Sequence, residues 1–249
     1  MNKFLYLFVS VLIVLVIIFS YKTRNYRLDF FPEFTQSTST GAETKKLVID
    51  VVSKPVTFDS QRKFLTSLYR EKHTGDCDHE KNGLDSCVII KPQIIILHMT
   101  DLETLAASYD YMKEPVLKEE REKLLSRSYD RVNVSSHFMI DRDGTIYSLM
   151  PENYMARSAM GVNHLALAIE NVGMNYSGPT REQIDSDVKL VKYLMDKYKI
   201  SAGNIYSHAD VNKLKDTKSL FFVEKETDYF MPKYCGEKVL KEVKRRLGV

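Results

Sequence analysis

Two histidines and two carboxylates stand where a fold could gather them: His98, His208, Glu170 and Asp228. His98 follows Ile94-Ile95-Ile96-Leu97, an aliphatic run that reads as a short strand buried on both faces. His208 follows a second short strand, expected over residues 204–207. Glu170 closes Leu165-Ala166-Leu167-Ala168-Ile169, so a carboxylate rides on a core strand, where it is costly unless it is paired or faces a cavity. Two imidazoles, a carboxylate such as Asp228 and an open position for water make a catalytic zinc site. A zinc ion there lowers the pKa of its water to about 7 and polarises a carbonyl. Glu170 is then a candidate general base or proton shuttle. The plain alternative for His98 is a ring that ends a core strand and is hydrogen-bonded there. No two of these residues are close in sequence and no H-E-x-x-H motif occurs, so the fold must assemble the site.

The elements that would do so alternate between strand and helix. Residues 47–52 read as a first strand. Asp59 or Ser60 caps a helix reaching about Lys72, with Phe64, Leu65, Leu68 and Tyr69 on its apolar face. Asp101 is placed to cap a helix after His98, and residues 101–128 read as one or two helices. Residues 134–140 and 145–150 form a hairpin around Asp141-Arg142-Asp143-Gly144. Thr180 caps a long helix ending near Lys199, and a basic helix spans about Glu237 to Leu247. This order predicts a mixed α/β fold, a central sheet flanked by helices.

With 249 residues, 44% hydrophobic and 28% charged, the chain can bury a sizeable core. A net charge of +3 is too small to argue for nucleic acid and suits work near an anionic polymer or membrane surface. Residues 4–20 carry no charge and would span roughly 25 Å as a helix, a little less than a bilayer core. They read as a signal anchor or a signal peptide, and the poor cleavage match at Phe19-Ser20-Tyr21 favours the anchor. The expected organisation is an anchor over residues 1–21, a tether over 22–46, an extension with a helix and a cysteine loop over 47–88, and the main domain over 89–249. Cys77 and Cys87 bracket a polar loop that a disulfide could close in an oxidising compartment. The adjacent His73 and His79 do not complete any common zinc-knuckle spacing.

Four segments in order carry a family resemblance. They are His98-Met99-Thr100; the hairpin from Ser135 through His137, Asp143 and Gly144 to Ile146; Gly161-Val162-Asn163 leading to Ile169-Glu170; and His208-Ala209-Asp210. Over about residues 93–248 the chain resembles the zinc-dependent N-acetylmuramoyl-L-alanine amidases, whose fold is shared by phage lysozyme-type amidases and peptidoglycan recognition proteins. The resemblance implies one zinc and hydrolysis of the amide joining N-acetylmuramic acid to the L-alanine of the stem peptide. It assigns the metal to His98, His208 and Asp228, with Cys235 as the alternative third ligand, and catalysis to Glu170, with Lys225 as a possible oxyanion partner. His137, Arg157 and Asn163 are the candidate substrate-binding residues. The expected protein is a monomer in a bacterial cell envelope. It is tethered to the cytoplasmic membrane, or secreted if the N-terminal segment is cleaved, faces peptidoglycan or muropeptides on the outer side, and has no nucleic-acid partner.

The chain also departs from that family. Arg157-Ser158 stands where many members carry Trp-His, and Glu226-Thr227-Asp228 lacks the Pro-Gly of the family's K-x-(D/C/H)-P-G motif. These departures favour the competing expectation, a catalytically silent peptidoglycan-binding module of the same fold.

Overall fold

The computed structural model describes residues 49–118, 131–226 and 235–249. The apolar run at 4–20, the tether and Asp228 lie outside the described residues. Among the described residues no helix is long and apolar enough to cross a membrane. The chain divides between Ser53 and Lys54. Before the division, the described residues include a short strand β1 (Val51–Ser53).

Lys54–Val249 contains the strands β2 (Ile94–Met99), β3 (Phe138–Ile140), β4 (Ile146–Ser148), β5 (Ala166–Asn171) and β6 (Ile205–Ser207), in the order β4-β3-β5-β2-β6. β3 and β4 are antiparallel, whereas β3–β5, β5–β2 and β2–β6 are parallel. All six residues of β2 and of β5 are buried, as their uninterrupted aliphatic runs require between two covered faces. The hairpin strands are three residues each, shorter than the alternation suggested. The backbone before β3 is already committed elsewhere, with Ser135 N–H bonded to Arg157 O and His137 N–H to Ala168 O.

Helix α1 (Ser60–His73) starts at Asp59, whose side chain accepts from the Arg62 N–H. Its buried face differs from the apolar stripe read in the sequence. Tyr69 is buried, but Phe64 is 43% exposed while Arg62, Thr66, Ser67 and His73 are buried. Tyr69, with Leu65 against it, packs on Ile90, Val132 and Met155, but the rest of this face meets polar partners: the Arg62 guanidinium donates to the carbonyls of Thr57, Met112, Lys113 and Glu114. Two short helices, α2 (His79–Asn82) and α3 (Leu84–Val88), follow. Here Cys77 and Cys87 are disulfide-bonded, with Cα atoms 5.6 Å apart.

Helix α4 (Leu105–Met112) is capped by Thr104. The expected cap, Asp101, instead adopts a left-handed conformation (φ 53°) and accepts the Asn175 N–H. Helix α5 (Arg181–Tyr198) begins with a reciprocal capping box between Thr180 and Gln183 and buries Ile184, Leu190, Val191 and Leu194. Helix α6 (Val211–Asp216) is short, and α7 (Glu237–Leu247) buries Val239 and Val243 while its lysines and arginines stay at the surface. One glycine decides how the last segment meets the sheet. Gly236 (φ +82) passes so close to β2 that a Cβ would lie 2.0 Å from Leu97 O.

Candidate metal centre

β2 and β5 set the first two groups. In their parallel register His98 lies opposite Glu170, which puts both side chains on one face of the sheet. β6, on the other side of β2, delivers His208 as the first residue of a 3-10 turn, His208–Asp210. That turn is fixed by a reciprocal box in which the Asp210 carboxylate accepts the Ser207 N–H and Ser207 Oγ accepts the Asp210 N–H. The close passage at Gly236 brings in the fourth group. Cys235 Sγ accepts the Met99 N–H at 3.3 Å, and the Ala209 N–H donates to Cys235 O.

The result is a cluster of His98, His208 and Cys235, whose potential ligand atoms all lie within 4.8 Å of one another. The two imidazole centroids are 4.9 Å apart. His98 Nε2 is buried and makes no hydrogen bond, and so is Glu170 Oε2. Burial governs the proton affinities. It holds His98 well below its usual range, with His208 adding to the effect, and lowers His208 to about 4. It pushes the Cys235 thiol up to about 12, with Glu170 contributing, and Glu170 up to about 8. Without a cation, then, all four groups favour their neutral forms. A divalent cation reverses the balance for the thiol, because it is bound by thiolate and neutral imidazole, and its charge likewise favours the ionised carboxylate of Glu170 beside it. Two imidazoles and one thiol, with an unpartnered His98 nitrogen among them, are a donor set that fits zinc and leaves a fourth position open.

The cluster opens into a cavity of about 340 Å³, lined also by Glu170, Thr100, Tyr111, Ser158 and Arg157. Of the residues expected at the site, the structure brings together His98, His208, Glu170 and Arg157, and joins Cys235 to them. His137 is fully buried, not in the cavity wall. Its Nδ1 accepts the Ala168 N–H (3.0 Å) and its Nε2–H donates to Tyr154 O (2.7 Å), so both ring nitrogens are engaged. Asn163 holds a loop: its Oδ1 accepts the N–H groups of Ser158 and Ala159. Lys225 bonds His73 O through its N–H, and its side chain lies against Gly75. None of these three lines the cavity. The signal that singles out Cys235 is present in the sequence. Lys233-Tyr234-Cys235-Gly236 keeps a lysine two residues before the cysteine and a glycine after it, which Glu226-Thr227-Asp228-Tyr229 does not around its aspartate.

Residues 90–219 match the family described as N-acetylmuramoyl-L-alanine amidase. Among solved structures, the chain is similar to the endolysin N-acetylmuramoyl-L-alanine amidase LysCS from Clostridium intestinale URNW. Identity is 26%, covering 64% of this chain and 86% of that one, with a TM-score of 0.41. It is also similar to PlyL at 15% identity, covering 69% of this chain and 92% of that one, with a TM-score of 0.43. No curated protein matches the chain.

Proposed function

The chain belongs to the N-acetylmuramoyl-L-alanine amidase family, and from that premise we propose that it is a zinc-dependent enzyme cleaving the amide between N-acetylmuramic acid and L-alanine in peptidoglycan. The observation that carries this reading is the convergence of His98, His208 and Cys235 beside a buried carboxyl, Glu170, whose Oε2 has no hydrogen-bond partner. His98, His208 and Cys235 would hold the metal. When bound in such a site, zinc supplies a Lewis acid for the scissile carbonyl and acidifies water. Glu170 supplies the proton transfers: Oε2, which has no protein partner, takes the proton of the attacking water and passes it to the nitrogen of the departing amine. Its strand fixes it next to His98, so no side-chain search is needed to bring base and reaction centre together.

The Cys77–Cys87 disulfide and the apolar run at residues 4–20 support action outside the cytoplasm, with the run as a membrane tether. The test is release of stem peptide from purified sacculi together with metal analysis. The zinc-loaded protein releases stem peptide, and His98→Ala and His208→Ala each lose both zinc and activity. Undiminished activity in both variants would rule the mechanism out. Muropeptide binding by a zinc-free protein without hydrolysis marks the silent module instead.

A further inference from the structure

Asp101 lines the cavity in the turn that leaves β2, shortly after His98. It does not cap a helix but sits in the left-handed region (φ 53°), which costs a residue with a Cβ some backbone strain. Bonds to the turn after β5 hold it there. The Asp101 N–H donates to Gly173 O (3.1 Å), and Asp101 Oδ1 accepts the Asn175 N–H (3.1 Å). On either side of Asp101, Thr100 Oγ1 accepts the Gly173 N–H (3.2 Å) and Leu102 forms a bridge with Gly173. Asn175 lines the cavity too, so the bond between it and Asp101 lies in the wall itself. Among the described residues nothing pairs with the second carboxylate oxygen, Oδ2, and the residue is exposed. Its charge is felt at Cys235, where it adds to the upward shift of the thiol.

The turn alone does not call for a charge. Asparagine tolerates the left-handed conformation as aspartate does and offers the same Oδ1 acceptor. What aspartate adds is a fixed anion, with an oxygen to spare, in the wall of the cavity that holds the metal centre. Such a group suits a cation, and the proposed reaction makes one. Water adds to the amide carbon and the C–N bond breaks. The lactyl carbonyl becomes a carboxylate, and the alanine nitrogen departs as an amine that is largely protonated at neutral pH. A basic side chain in the stem peptide is a second source of the same group. We propose that Asp101 is a binding residue whose carboxylate engages a primary ammonium of the muramoyl peptide, either the one freed at alanine or one on a side chain. The inference rests on the amidase reading for the identity of the ligand and on the two joined turns for the geometry.

Two pairs of ligands test it on zinc-loaded full-length protein. The first, titrated by calorimetry, is L-alanyl-D-glutamine and its N-acetyl form. The second, compared by kcat/KM, is an N-acetylmuramoyl-L-alanyl peptide with a lysine side chain that is free or Nε-acetylated. The ammonium form is preferred in at least one pair by about fivefold to thirtyfold, between an exposed ion pair and a desolvated charge-assisted bond. Preference in the first pair assigns the alanine ammonium, and in the second the side chain. Asp101→Asn keeps the turn and its Oδ1 bond, retains zinc and the parent's urea midpoint, and loses the preference. Ratios within about twofold of unity in both parent pairs overturn the proposal. So does a preference that survives in Asp101→Asn, since the amine then meets the metal directly, or one lost only in Asp101→Ala, which marks a structural role. If neither muramoyl peptide is hydrolysed, the amidase reading has failed. The first pair needs no turnover and still decides: an Asp101-dependent preference sustains the inference, and equal affinity or no binding overturns it.

Discussion

His98 and Glu170 are register partners on adjacent parallel strands, yet His98 Nδ1 and Glu170 Oε1 stop at 3.9 Å, beyond a hydrogen bond. The sheet therefore places an imidazole and a carboxyl side by side without letting them satisfy each other. His98 Nε2 and Glu170 Oε2 are both left buried without protein partners. That is an unfavourable arrangement for stability alone and a useful one for chemistry. Glu170→Gln keeps the size of the side chain and removes the proton acceptor. The expected outcome is normal zinc content with turnover lowered about 10²–10⁴-fold, the usual worth of a positioned acid–base group. Metal analysis and turnover on the same preparation check it. Parent-level turnover in Glu170→Gln would remove Glu170 from the mechanism.

Mutation separates the two candidates for a third zinc ligand, Cys235 and Asp228. Cys235 sits within the histidine cluster, its sulfur held between the N–H and the carbonyl of Met99. Cys235→Ser is expected to weaken zinc binding by more than about 100-fold, because even outer-shell partners of a metal site contribute 10–100-fold. Asp228→Asn is expected to leave zinc affinity within a few-fold. Competition with a chelator of known affinity measures both. The reverse ranking makes Asp228 the ligand.

Much of this site could be read from the sequence because its strands are built from local signals. The run Ile94 to Leu97 marks a strand buried on both faces, and Thr180 marks a helix start, whatever the rest of the chain does. Relations set by tertiary approach were not legible. Cys235 reaches Met99 across 136 positions through a glycine that tolerates contact with a backbone carbonyl, and no periodicity records that. His137 is a candidate substrate-binding residue in the sequence, but the Ala168 N–H and Tyr154 O take up its ring. The buried face of α1 departs in part from its apolar stripe for a related reason. Hydrophobic periodicity assumes an apolar partner, whereas Arg62 is buried against four carbonyls.

Arg62 yields a stability prediction. Its guanidinium, fully buried, ties α1 to the carbonyl end of α4 and the residues after it, next to Tyr111 and Met112 of the cavity wall. Burial lowers its pKa to about 10, so the side chain remains charged at neutral pH. Arg62→Ala leaves several buried carbonyls without donors and opens a void. We expect a loss of roughly 3–5 kcal/mol in urea unfolding, as for breaking one side of a buried charged network. Arg62→Lys recovers only part of it, because one ammonium cannot reproduce the planar fork. A loss below about 1 kcal/mol in Arg62→Ala contradicts the assigned role.

Asp187 on α5 gives the chain a pH dependence of its own. Its carboxyl is fully buried and bonded weakly to Asn171 Nδ2 (3.4 Å), and Oδ2 has no partner. Burial pushes its pKa up to about 8, only partly offset by Asn171. In the unfolded chain the same group ionises near 3.8. Below that value both states hold the proton and the contribution is fully present. As pH rises from about 4 to about 8 the unfolded state gives up its proton while the folded state keeps it, so stability falls across this window and levels off above it. At about 1.4 kcal/mol for each tenfold difference in proton affinity, the decline between pH 5 and pH 8 is on the order of a few kcal/mol. Glu170 acts in the same direction in metal-free protein, so the decisive comparison is between the parent and Asp187→Asn at equal zinc loading. Asn has nearly the same shape and no proton to lose. Urea unfolding at pH 5 and pH 8 should show Asp187→Asn gaining on the parent at the higher pH by that amount, and parallel stability curves would show that Asp187 is not buried as a neutral acid.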